Sequence, residues 1–102
     1  MASPPCYMIV LGAFTDFDRF MRDYQTAVAP LIARFGGEYL LVGSNLLPLE
    51  TCFPGGGGAV ISKWAHREAA LAFWHSPEYA EVKKLREGTG QFHVVLVDSL
   101  PA

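Results

Sequence analysis

At 102 residues with 51 % apolar side chains, the chain is long enough for one domain with a real core. A formal charge of −2, with 18 % of residues charged, gives no basic field, so neither nucleic acid nor an anionic lipid surface is expected as a partner. The longest apolar stretch, 7–14, is too short to span a bilayer, and 1–5 lacks the positive start of a signal peptide, so a cytoplasmic setting is expected.

Residues 1–5 form a short tail with two prolines, and a single domain is expected over 6–100. The run CYMIVLGAF (6–14) reads as a strand rich in β-formers, with Gly12 near its end as a bulge or a point of close approach. Thr15 followed by Asp18 resembles a capping box. The helix it opens carries Phe17, Phe20, Met21, Tyr24, Val28, Leu31, Ile32 and Phe35 at helical spacing. Pro30 lies inside this stripe and is expected to kink or divide the helix, because its ring meets the Thr26 carbonyl and one backbone bond is lost. Gly36 and Gly37 end it.

EYLLVGS (38–44) is a second strand. The segment 45–58 holds two prolines and the run GGGG, and reads as a long, loose hairpin connection. The run is no phosphate loop, since no Lys-Ser or Lys-Thr follows it. AVISKW (59–64) is a third strand. A helix over 67–75 breaks before Pro77 and restarts there: Ser76 caps, Pro77 takes the first helical position and Glu78 favours the positive end. Gly88 and Gly90 stop the restarted helix after Glu87, and QFHVVLVD (91–98) is the last strand. The order βαββαβ predicts an α+β, ferredoxin-like fold: a four-stranded antiparallel sheet with two helices on one face.

Such a sheet should alternate apolar with polar residues, because its second face would meet water. These strands do not alternate. Met8 and Val10 oppose Tyr7, Ile9 and Leu11, and Phe92, Val94 and Leu96 oppose Val95 and Val97. The simplest cover for a second apolar face is the sheet of a second copy, so a homodimer packed sheet to sheet is expected.

No complete catalytic or metal motif appears. On the restarted helix Tyr79, Val82, Leu85 and Arg86 share one arc, with Tyr79 and Arg86 two turns apart. That spacing suits flanking a ligand: the guanidinium holds a carboxylate or enolate, and the phenol donates a hydrogen bond. The plainer reading pairs Arg86 with a carboxylate, Glu50 foremost, and leaves Tyr79 filling the helix–sheet interface. His93, in a valine-rich strand beside Val95 and Val97, and His75 are candidate general bases; His66 looks like an exposed helix start. The catalytic candidates are therefore Tyr79, His93 and Arg86. Trp64, Trp74, Tyr39 and Phe92 are candidates to line a pocket for a flat, apolar compound, or are ordinary core. No histidine pair has ligand spacing, so neither a metal nor another cofactor is expected. Cys6 and Cys52 show no CxxC or metal-clip spacing and read as reduced thiols.

Together, GGEYL (36–40), Leu49-Glu50, AFWHSPEY (72–79), Arg86 and the closing VVLVD (94–98) resemble the short bacterial proteins called domain of unknown function thirteen-thirty, of the dimeric α/β-barrel superfamily. The resemblance spans nearly the whole chain after the tail. It implies the ferredoxin-like fold and a dimer, and no established reaction. The chain departs from that family's pattern in two places. Val42 and Ser44 stand where the family carries an arginine and a second glycine, and Ala65-His66 where it tends to open the helix with a serine. Three functional expectations follow: binding of a small apolar or aromatic metabolite between sheet and helices; a cofactor-independent oxygenase or isomerase acting on an aromatic or quinone-like substrate, which the superfamily resemblance permits; or a non-catalytic structural dimer.

Overall fold

A computed structural model describes residues 4–100 of the chain; residues 1–3 of the expected tail lie outside them. Four strands, β1 (Cys6–Phe14), β2 (Glu38–Ser44), β3 (Gly58–Trp64) and β4 (Gly90–Asp98), form one sheet in the order β2-β3-β1-β4. Every neighbouring pair is antiparallel. The helices cover one face, so the fold is the α+β, ferredoxin-like arrangement that the element order implies.

The helix between β1 and β2 is continuous but not uniform. It comprises α1 (Phe17–Arg19), a π-helical stretch (Phe20–Gln25) and α2 (Thr26–Arg34). Of the two expected effects of Pro30, a kink or a division, the division does not occur: α2 runs through Pro30, and the departure from α-geometry lies upstream. The physical reason is the spacing of the inward stripe. Phe20, Tyr24, Val28 and Ile32 follow one another at steps of four, and each such step in an α-helix drifts about 40° around the axis. The wider π turn sets that drift back, so all four still face the sheet. The cap also differs from expectation. Asp16, not Thr15, accepts from the Arg19 N–H (3.1 Å), because Thr15 is engaged by the turn before β4: its N–H donates to the Thr89 carbonyl (2.8 Å) and its hydroxyl to that of Gly88 (3.3 Å). Arg19 Nη2 adds a third tie, to the Glu87 carbonyl (2.8 Å).

The helix pair after β3, α3 (Arg67–Trp74) and α4 (Pro77–Lys83), breaks where the sequence places the break. Ser76 Oγ accepts from the Tyr79 N–H (3.0 Å) and donates to the Phe73 carbonyl (2.7 Å), joining the two helices with Pro77 at the first helical position. A 3₁₀ turn, Lys84–Arg86, completes α4. The imidazole of His66 caps α3 by accepting from the Ala69 N–H (3.1 Å). Between helices and sheet lies a core of Cys6, Met8, Val28, Leu31, Ile32, Trp64, Phe73 and Tyr79.

On the far face, Leu41, Ile61, Ile9 and Val95 stand in register across all four strands, and Tyr7 pairs with Val97. Leu41, Val95 and Val97 are exposed, so no element among the described residues covers this apolar row. The β2–β3 connection is less loose than its glycines suggest. Leu46 N–H donates to the Gly57 carbonyl (3.0 Å), Gly56 N–H donates back to that of Leu46 (2.9 Å), and buried Phe53 packs edge-on against His93 (ring centroids 4.7 Å apart).

The end of α2 has a strict steric requirement. Gly36 adopts φ +90°, its N–H reaching the Ala33 carbonyl and that of Gly37 the Ile32 carbonyl. A Cβ on Gly37 would fall 2.7 Å from both Ile32 Cγ2 and the Trp64 ring. Gly37→Ala is therefore expected to destabilise the fold by about 1–3 kcal/mol in denaturant unfolding; a midpoint unchanged from wild type would show that the helix end moves freely away from Trp64.

Candidate functional site

The helix-side face of the sheet is not closed at the end where β1 finishes and β3 and β4 begin. An open cleft of about 980 Å³ lies there, between Phe14, Phe17, Phe20 and Met21 of the β1–helix segment, Val42 and Ser44 of β2, and the Gly55–Gly58 run. Behind it lies a chamber of about 50 Å³, reached past residues common to both spaces: Val10, Phe20, Gln25, Val60 and Phe92. Cleft and chamber thus adjoin across these five side chains and together have a funnel's outline, wide and apolar outside and narrow within. Glycine shapes the rim, because a Cβ on Gly57 would strike the Gly12 carbonyl.

Polar atoms gather at the narrow end. Tyr24 from the π turn and Tyr79 from α4 meet hydroxyl to hydroxyl at 2.9 Å. Gln25 Nε2 donates to the Tyr39 hydroxyl at 3.4 Å. Burial pushes the Tyr24 phenol well above its ordinary range, reinforced by the Tyr79 hydroxyl, and burial also raises that of Tyr39. Tyr24 is therefore a hydrogen-bonding phenol rather than a phenolate.

Arg86 is the unusual member. Its guanidinium lies over the Phe92 ring (4.7 Å to the centroid) and beside that of Tyr24 (5.8 Å). Its Nε is buried and has no hydrogen-bond partner. The expected partner Glu50 is exposed in the β2–β3 connection and lines neither space. Among the described residues Arg86 enters no ion pair, which corrects the expectation of an Arg86–Glu50 pair. A carboxylate in the middle of the connection between β2 and β3 cannot be assigned to either face of the sheet from sequence alone.

The structure brings Tyr79, Arg86, Trp74 and Tyr39 together around the chamber. Trp74 stacks near Tyr79 (5.1 Å) with Lys83 Nζ over its ring at 4.7 Å. Trp64 stays outside the lining: it is buried in the core, its indole N–H donating to Ser62 Oγ (3.0 Å). His93 is exposed on the opposite sheet face, and His75 is the exposed residue closing α3, so neither joins Tyr79 and Arg86. Sequence reasoning placed Phe20 and Tyr24 in an ordinary helix stripe and did not single out Gln25; the signal was the run of steps of four, which a plain α-helix does not keep on one face. No group of three or more His, Cys, Asp or Glu among the described residues is placed to hold a metal ion. None of the helices among them is long and apolar enough to cross a membrane.

Solved structures share this fold. A protein of unknown function from Rhodopseudomonas palustris superposes with a TM-score of 0.79 at 16 % identity, covering 98 % of this chain and 85 % of that one. SnoaB, a cofactor-independent oxygenase from Streptomyces nogalater, gives 0.70 at 11 % identity, covering 98 % and 97 %. A dimeric protein of unknown function and ferredoxin-like fold from Bacteroides fragilis gives 0.63 at 15 %, covering 97 % and 100 %. A search of curated proteins found no match. Residues 5–100 match the model of the family described as domain of unknown function (DUF1330), and the chain belongs to that family.

Proposed function

We propose that the chain binds a small apolar or aromatic metabolite in the funnel between sheet and helices, its polar group at Arg86 and Tyr79. The observation that carries this reading is the Arg86 Nε: a buried guanidinium nitrogen without a partner, in the lining of a narrow chamber that adjoins an apolar cleft. Buried donors are nearly always paired, so one left over beside a cavity calls for an acceptor from outside the chain. The planar guanidinium suits a carboxylate or enolate oxygen, and a phenol beside it supplies a second donor.

The working unit is a homodimer in the cytoplasm, the two far sheet faces packed together. Its support is the uncovered row from Leu41 to Val95, an apolar surface that a second copy would shield from water. A second reading, a cofactor-independent oxygenase or isomerase of an aromatic or quinone-like substrate, draws on the likeness in fold to SnoaB and is an analogy of fold alone. A purely structural dimer accounts for the far face but leaves a funnel of this size without a role.

Denaturing the natively purified protein is expected to release an apolar small molecule detectable by mass spectrometry. Val42→Trp, at the exposed rim of the cleft, should lose it; equal cargo on both proteins would place the ligand elsewhere. Light scattering should give twice the mass of one chain for wild type and a smaller mass for Ile9→Glu, which puts a charge in the centre of the apolar row. A wild-type monomer at high concentration would remove the dimer.

A further inference from the structure

The charge content of the funnel specifies the ligand further, provided that the funnel is the binding site. Of all the side chains lining cleft or chamber, Arg86 alone carries a formal charge, and no Asp, Glu, His or Lys is among them. A guanidinium keeps its proton throughout the physiological range. The lining therefore holds one positive charge that no carboxylate among the described residues pairs with. The titratable groups facing it are all phenols: Tyr24 from the π turn, Tyr79 from α4 and Tyr39 from β2.

Donor counting points the same way. Two hydroxyls 2.9 Å apart share one hydrogen bond, so the Tyr24–Tyr79 pair keeps one O–H hydrogen for another acceptor. Arg86 Nε–H has none. Two donors and one cation converge on a chamber of about 50 Å³, room for a single small acid group and not for a ring system. The body of the ligand belongs in the cleft, among Phe14, Phe17, Phe20 and Met21.

We infer that the ligand is an apolar monoanion that arrives already ionised, its acid group held by Arg86 and the Tyr24–Tyr79 pair and its flat or aliphatic body lying in the cleft. A neutral ligand leaves the cation uncompensated, and a dianion such as a phosphate monoester brings a second charge with no counter-charge to meet it. Because the lining offers no base, the protein takes no proton from the ligand on binding.

Calorimetry with 2-naphthoate, 2-naphthamide and 2-naphthyl phosphate, three ligands with one ring system and different charge, tests this. Wild type is expected to bind the naphthoate about tenfold or more tighter than either of the others, the difference expected when an acceptor charge meets a buried charged donor. Its binding heat should be the same in phosphate and in Tris, as it is when no proton is exchanged with buffer. Arg86→Gln should remove most of the naphthoate's advantage over the amide, with circular dichroism and the thermal midpoint reporting that the variant is folded; Arg86→Lys should keep part of the preference. An amide bound as tightly as the naphthoate by wild type, or a heat that depends on the buffer, would overturn the inference while leaving the funnel as an apolar site. If none of the three binds, the funnel reading falls with it.

Discussion

A guanidinium is poorly placed against a sheet unless something meets its charge. Arg86 is met by two aromatic faces, Phe92 and Tyr24, and by no carboxylate among the described residues. Cation–π contact contributes on the order of 0.5–2 kcal/mol; it orients the group but leaves the Nε–H unused. The site is organised by that imbalance. The 3₁₀ turn after α4 delivers Arg86 to the sheet, the ties from Thr15, Asp16 and Arg19 to Glu87–Thr89 hold that turn against the start of the first helix, and the π turn rotates Tyr24 towards Tyr79.

The same segment connects stability and site. Phe20 stacks on Phe92 (5.4 Å between centroids, 20° between planes) and leans on Phe14 and Tyr24, so the cleft wall is a continuous aromatic cluster. A plain α-helix would carry the successive steps of four progressively away from the sheet and break this wall. The π turn is therefore a structural necessity of the stripe and also what presents two consecutive polar side chains, Tyr24 and Gln25, to the funnel.

Much of this was legible in the sequence, and the reasons are local ones. Strand composition, the Gly36-Gly37 stop and the Ser76-Pro77 restart are set by residues within a few positions of one another, and each appears where the pattern puts it. Tyr79 and Arg86, at opposite ends of one helical arc, do reach one chamber. What sequence could not supply is long-range. Thr15 loses its capping role to a turn more than seventy residues away. Glu50 and Arg86 do not pair, because the hairpin that carries Glu50 turns towards solvent and lays Phe53 against His93 on the other face. His93 illustrates the pleat: beside Phe92 in sequence, it is on the opposite side of the sheet. Trp64 resembles Trp74 as a candidate, yet the Gly37 contact and the Ser62 bond fix it in the core.

The account stands on an Arg86 side chain that faces the chamber with its Nε–H available. A crystal structure of the protein with 2-naphthoate tests this most directly. The account predicts the carboxylate within hydrogen-bonding distance of Arg86 Nε and the naphthyl ring in the cleft against Phe20. An Arg86 turned to solvent or paired with a carboxylate of its own chain, with the naphthoate bound elsewhere, would contradict it.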